Sequence, residues 1–182
     1  MTTYSISITD EQVFQALWDW LTLLFPTSVE VIKGDDNRVP PPALLPGQGF
    51  IMMQRISSVR LSTNETSYTD DIIIPIEEES EMQTIDYSIQ LDTYGTESAN
   101  QARIISTLFR SDQACRFFEP YNIQPLYMDD PKHMPVVNGE NQYEQRWMTT
   151  IHLQINPIVS VPTEFMDAAS IVLVDVDATY PV

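Results

Sequence analysis

The sequence predicts an α+β domain: a mixed, mainly antiparallel β-sheet with two or three helices packed on one face, together with extended loops. Two segments carry apolar residues at helical spacing, and two long segments alternate apolar with polar residues as half-exposed strands do. Helical and strand segments are interspersed along the 182 residues, and no internal repeat is visible. A chain of this length predicts one domain, covering residues 1–182.

The first helix is predicted to begin after Thr9. Thr9 and Gln12 have the spacing of a capping box, and apolar residues then recur at helical spacing as far as Phe25, which a proline follows. Trp18 and Trp20 would lie about 200° apart on this helix, so only one of them can face a single core. The other is a candidate for a subunit contact or for packing in a second layer.

Strands and two unusual loops are predicted next. Residues 29–34 and 50–62 have strand composition, and the proline- and glycine-rich segment 33–49 between them is predicted to be a long loop. Residues 75–82 begin with a proline and continue with an acidic run. We predict an acidic, solvated loop or sheet edge there.

The clearest strand ends at Gly95, and its alternation predicts one apolar and one polar face. A second helix should run from Thr96 or Ser98 to about Arg110, followed by a further helical turn or two. Residues 142–156 form a second long alternating segment, and residues 159–182 are predicted to be a C-terminal extension.

The charge balance argues against two classes of partner. The chain has 26 acidic and 9 basic residues, for a formal net charge of −17. Affinity for nucleic acid and for anionic membranes depends mainly on Lys and Arg. We therefore predict neither specific nucleic-acid binding nor a membrane partner.

Few residue patterns in the chain suggest chemistry. It contains no nucleophile elbow, phosphate-binding glycine loop or zinc-binding helix motif. His152 lies on the polar side of a strand, where a hydrogen-bonding role is expected. His133 with Asp129 and Asp130 could ligate a metal ion, but the spacing matches no known ligand loop. We predict no catalytic residue, metal or cofactor, and retain a small metal-dependent hydrolase as the alternative from another class.

The segment "DDPKHMPVVNGENQYEQRW", residues 129–147, is predicted to be a stiff loop that contacts another protein. Its prolines and Asn-Gly pair suit a shaped connection, although the pair could merely close a hairpin. Trp147 shares its strand parity with Ile151 and Leu153 and is predicted to turn into the core. Arg110, at a helix end, is expected to pair across an interface or to complement the helix C-terminus. The predicted contact residues are Arg110, Asp130, Pro131, Met134, Asn138, Gly139, Glu140, Tyr143 and Arg146.

Residues 80–158 carry a family resemblance. The strand ending "QLDTYG", the helix "ESANQARIISTLFRSDQACRFF", the loop quoted above and the strand ending "HLQINP" follow one another. This arrangement resembles the tail terminator, or neck terminator, proteins of tailed bacteriophages. The resemblance implies a mixed sheet flanked by helices and a function without catalysis or cofactor.

The resemblance also implies an assembly. Such proteins form a hexameric ring on the head-proximal end of the tail tube, halt tube polymerisation and present a surface to the head connector. The expected partners are further copies of the chain, the tail tube protein and a head connector or stopper protein, with DNA passing through the ring. The expected location is the neck or tail of a virion assembled in the host bacterial cytoplasm. The alternative within this class is another head–tail joining ring, such as a stopper or tail-completion protein.

Overall fold

The computed structural model describes residues 4–25, 29–34, 49–70, 77–137 and 143–163. Within these ranges, a six-stranded sheet carries helices on one face, and a four-stranded sheet continues from one end of it. The predicted α+β class, with its mixed and mainly antiparallel sheet, is confirmed.

The elements alternate along the chain as predicted. The helices are α1 (Asp10–Leu24), α2 (Ser98–Phe109) and α3 (Asp112–Phe118), the last followed by a 3-10 turn at Glu119–Tyr121. The strands are β1 (Ser5–Ile6), β2 (Val29–Lys33), β3 (Gly49–Arg60), β4 (Glu65–Asp70), β5 (Glu77–Met82), β6 (Ile85–Gly95), β7 (Ile123–Met128), β8 (Lys132–His133), β9 (Val136–Val137), β10 (Tyr143–Glu144), β11 (Arg146–Ile155) and β12 (Ile158–Pro162).

Two long antiparallel strands form the centre of the larger sheet. Its order is β2-β3-β6-β11-β7, and β8 also pairs with β11. Strands β6 and β11 pair along their full lengths, from Tyr94 opposite Arg146 to Ile85 opposite Ile155. Only the β2–β3 pair is parallel among the strand pairs of the described ranges. The remaining strands form a β1-β12-β5-β4 sheet and a β9–β10 pair.

Helix α1 begins with the predicted capping box. The Gln12 backbone N–H donates to the Thr9 hydroxyl at 3.3 Å, and the Thr9 backbone N–H donates to the Gln12 side chain at 2.8 Å. Trp20 is fully buried, whereas Trp18 is 40% exposed and donates to the Val31 carbonyl at 3.3 Å. The prediction that only one of the two tryptophans faces the core is therefore confirmed.

The core lies between the helices and one face of the six-stranded sheet. Trp20 lies at its centre, with its ring 5.8 Å from that of Phe109 and 5.7 Å from that of Phe118. From the sheet, alternate residues of β6 and β11 point into this core, as the strand periodicity predicts. These buried strand residues are Tyr87, Ile89, Leu91, Ile151, Leu153 and Ile155.

The prediction of an acidic loop or edge at residues 75–82 was wrong for residues 77–82. These residues form β5, which lies between β12 and β4 inside the smaller sheet. Ladder pairing with β4 and β12 holds β5 in place. Because β5 buries no apolar face, its glutamates need not alternate with apolar residues, and the sequence carries no strand pattern. Strand β4 escaped prediction for the same reason.

The other two predicted loop segments also differ in part from the structure. Lys33 and Gly49, the ends of the predicted loop 33–49, belong to β2 and β3 and pair within the parallel ladder. The predicted C-terminal extension from residue 159 begins inside β12, which pairs with β5. Residues 35–48 and 164–182 lie outside the described residues.

Tyr87 lies at the edge of the core beside the ion pair between Asp10 and Arg55. Its side chain is buried, and Asp10 and Arg55 lie beside its hydroxyl. Burial and, next, the negative charge of Asp10 raise the pKa of Tyr87 from 10.0 to about 12. The neutral phenol is therefore the form that the folded protein accommodates.

Alkaline pH is expected to destabilise the protein through Tyr87. The folded-state pKa of Tyr87 is higher than the unfolded value of 10.0. The contribution of neutral Tyr87 to the free energy of unfolding is therefore fully present below pH 10.0 and is lost as pH rises through about 12. The expected loss is about 2–3 kcal/mol. Urea unfolding of the wild type and of Tyr87→Phe across this pH range measures it. The variant should lose less stability, and equal losses would contradict the assignment.

Candidate protein-contact surfaces

Arg110 and Asp130, both predicted contact residues, lie next to each other. Arg110 follows the last turn of α2, and its Nη2 donates to the Met128 carbonyl. The same nitrogen lies 3.5 Å from Oδ1 of Asp130, and both side chains are well exposed. Within the subunit, Arg110 therefore ties the start of the loop to the end of α2. A weak, exposed pair of this kind orients the loop more than it stabilises the fold.

Backbone contacts fix the first half of this loop against β11. The Asp129 N–H donates to the Thr150 carbonyl at 2.8 Å, and the Thr149 hydroxyl donates to the Asp129 carbonyl at 2.8 Å. The Met134 N–H donates to the Arg146 carbonyl at 2.9 Å. The prediction of a stiff connection is consistent with these bonds, because they order the loop before any partner binds.

The loop presents apolar side chains to solvent. Met134 is 47% exposed, Val137 is 51% exposed and Tyr143 is 80% exposed. Val137 and Tyr143 face each other in the antiparallel β9–β10 pair, and Pro131 is half-buried. We call Met134, Val137 and Tyr143 the loop tip. The remaining predicted contact residues, Asn138, Gly139 and Glu140, lie outside the described residues.

Arg146 lies on the sheet face opposite the helices, where it neutralises a buried carboxylate. Its Nη2 donates to Oδ2 of Asp92 at 2.9 Å, and the Asp92 side chain has no exposed surface. Gln90 donates to the same oxygen at 2.8 Å. The guanidinium carbon lies 5.8 Å from the ring centre of Tyr94, which stacks on Phe50. Arg146 therefore has an internal role in addition to its predicted role as a contact residue.

The electrostatics of this pair favour its charged form. Burial lowers the pKa of Arg146, but the hydrogen bond to Asp92 and the negative charge of Asp92 outweigh burial and raise the pKa above its ordinary value. Burial also raises the pKa of Tyr94, so its hydroxyl stays neutral. The polar face of β6 was predicted to be exposed. That prediction was wrong at Asp92 and Ser88, because both side chains are buried.

His152 occupies the middle of the same sheet face. Its Nδ1 lies 3.0 Å from both carboxylate oxygens of Asp86 and 3.1 Å from the Ser88 hydroxyl. The Tyr127 ring stacks on it at 4.0 Å. A Ser-His-Asp relay needs the acid and the serine on opposite ring nitrogens, whereas here both approach Nδ1. The prediction that His152 is a hydrogen-bonding residue is confirmed.

The predicted metal alternative finds no support around His133. In the described ranges, no three His, Cys, Asp or Glu side chains lie close enough together to hold a metal ion. The His133 ring lies 5.2 Å from that of Trp147, because β8 pairs with β11 and places the two residues opposite each other. The prediction that Trp147 turns into the core was wrong: its side chain is half-buried at the end of the sheet, outside the core cluster.

The four-stranded sheet forms a second accessible surface, which we call the acidic arm (β1, β4, β5 and β12). Its strands β4, β5 and β12 continue the central strands β3, β6 and β11 of the larger sheet. Hydrogen bonds from Leu61 to Thr84 and from Gln83 to Pro157 bridge the junction. None of the described residues of the arm is buried. Sequence reasoning missed this surface, although its run of glutamates was noticed.

The described residues thus present two accessible surfaces: a hydrogen-bonded loop with exposed apolar side chains, and an acidic four-stranded sheet. Among the residues that the structure describes, no helix has the length and apolar character needed to cross a membrane.

The chain belongs to the phage neck terminator protein family, whose model matches residues 11–177. The predicted resemblance is therefore confirmed, and the match extends beyond residues 80–158. Membership of this family assigns the protein a structural role in the neck or tail of a phage particle, in association with other phage proteins. No curated protein is similar enough in sequence to match the chain.

Proposed function

We propose that the protein forms a closed hexameric ring on the head-proximal end of a phage tail tube, ends tube polymerisation and joins the tail to the head connector. Membership of the phage neck terminator family is the observation that carries this proposal. Two accessible surfaces, the loop tip and the acidic four-stranded sheet, support the proposal because a ring subunit needs exposed surface for its neighbours.

Ring closure supports an interface role for the loop tip. Each subunit of a closed ring contacts its two neighbours through two different surfaces. Met134 is held to β11 by its backbone N–H, and Val137 and Tyr143 pair with each other in β9–β10, so their backbone is ordered before binding and less conformational entropy is lost. Tyr143, with 80% of its surface exposed, has the size and chemistry of an interface anchor.

Phage particles assembled without this protein test the proposed function. We expect full heads and separate tail tubes of uncontrolled length, and we expect the purified protein to restore joining when it is added back. Tubes of normal length that still attach to heads would contradict the proposal.

Replacing Tyr143 by Ala is expected to weaken association between subunits by at least about tenfold, as loss of an interface anchor does. Sedimentation of the purified protein over a range of concentrations measures the change. Leu23→Ala is the matched control, because Leu23 is an apolar side chain that is 58% exposed on α1. If both variants associate like the wild type, the loop tip does not join the subunits.

A further inference from the structure

We propose that the acidic arm docks a basic segment of a different virion protein and is not a contact between copies of this chain. This inference rests on the proposed function and names the chemistry of one partner. Among the described residues, the arm has little cover. The helices pack on the larger sheet, and in the described ranges no helix packs extensively on the arm. A sheet with two open faces normally gains its cover from another element or another chain.

The arm offers apolar and acidic side chains on the same face. Strand register places Val159 opposite Glu81, and Val161 opposite Glu79, while Ile6 lies opposite Val159 on the outer strand. Ile6 is 53% exposed and Val159 is 38% exposed. A partner that covers this face therefore needs both apolar contacts and positive charge.

The charges on the arm have no cations among them. Its four strands contain Glu65, Asp70, Glu77, Glu78, Glu79 and Glu81, and no Lys or Arg. Residues 61–102 as a whole contain no Lys or Arg. Adjacent carboxylates repel one another, and a partner with Lys or Arg relieves that repulsion while it speeds the encounter.

A second copy of the chain is a poor source of these cations. The chain has nine basic residues against 26 acidic ones. In the part of the chain that the structure describes, five of the basic residues pair with carboxylates of their own subunit: Lys33, Arg55, Arg110, Arg116 and Arg146. Bringing two copies together at the arm would therefore add negative charge to negative charge. The charge complementarity points to a basic partner of another sequence.

Zero-length cross-linking of carboxylates to lysines in intact phage particles tests the proposal. We expect links from Glu78, Glu79 or Glu81 to lysines of another virion protein. The internal positive control is the link between Glu11 and Lys33, whose charged atoms lie 2.9 Å apart. Arm links to lysines of this chain alone would overturn the proposal. Absence of the chain from the particles would overturn the proposed function and, with it, the docking proposal. Arm links confined to this chain would overturn the docking proposal alone.

A second experiment neutralises the carboxylates of the arm, and it also tests a partner that binds through arginine, which the cross-linker does not detect. The variant Glu78→Gln/Glu79→Gln/Glu81→Gln keeps the side-chain shapes, and Glu30→Gln/Glu97→Gln/Glu119→Gln removes equal charge from exposed sites off the arm. We expect the arm variant to enter particles at least tenfold less well than the control, with unchanged self-association. Equal entry of both variants, or loss of self-association in the arm variant alone, would overturn the proposal. Far-UV circular dichroism confirms that both variants are folded.

Discussion

Replacing Arg146 by Met is expected to destabilise the protein by about 3–5 kcal/mol, because it leaves a buried carboxylate without its cation. Asp92 has no exposed surface, and its Oδ2 receives the Arg146 guanidinium at 2.9 Å. Its Oδ1 has no hydrogen-bond partner among the described residues, and the neutral amide of Gln90, which donates to Oδ2 at 2.8 Å, does not replace the positive charge. Urea unfolding at fixed protein concentration measures the loss and keeps any contribution from self-association constant.

Two comparisons make this prediction specific to the buried charge. Arg110→Met breaks another Arg–Asp pair, but its side chains are 51% and 91% exposed, so its cost should be below about 1 kcal/mol. Asp92→Asn combined with Arg146→Met removes both charges and should recover much of the loss. A similar cost for the two single Arg variants, or no recovery in the double variant, would show that the Asp92–Arg146 pair is not the cause.

Replacing Trp20 by Ala is expected to cost about 3–5 kcal/mol through the cavity it leaves. The side chain is fully buried and packs between Phe109 and Phe118. Trp18→Ala, two positions earlier on the same helix, removes a side chain that is 40% exposed and one 3.3 Å hydrogen bond to the Val31 carbonyl. Its cost should be clearly smaller. Thermal or urea unfolding followed by far-UV circular dichroism compares the two variants.

A third tryptophan variant separates packing from polarity. Trp20 Nε1 has no hydrogen-bond partner in the described part of the chain. Trp20→Phe keeps an aromatic ring in the core and removes this unpaired donor, so its cost should stay below about 1.5 kcal/mol. If Trp18→Ala proves as costly as Trp20→Ala, the assignment of the buried helix face is wrong.

Local signals in the sequence predicted the elements that bury an apolar face. The capping box at Thr9, the helical spacing after it and the alternation around Ile89 and Ile151 each report a local periodicity, and each corresponds to an observed element. Together these local signals predicted the α+β class, and the family resemblance added the structural role in a phage particle.

What escaped prediction depends on contacts between distant residues. The acidic arm has no buried apolar face, so neither β4 nor β5 produces a period in the sequence. Asp92 and Arg146 are 54 residues apart, and strand pairing alone brings them together diagonally across β6 and β11. Opposite charges on the polar positions of two long strands were the one signal that could have revealed this pair.

As proposed, the protein closes the head-proximal end of the tail tube as a ring. Cryo-electron microscopy of the purified full-length protein mixed with purified tail tubes tests it most directly. We expect a single six-fold ring at one end of each tube, and no further tube growth at that end. Density distributed along the tubes, or tubes that continue to grow from both ends with no ring attached, would contradict it.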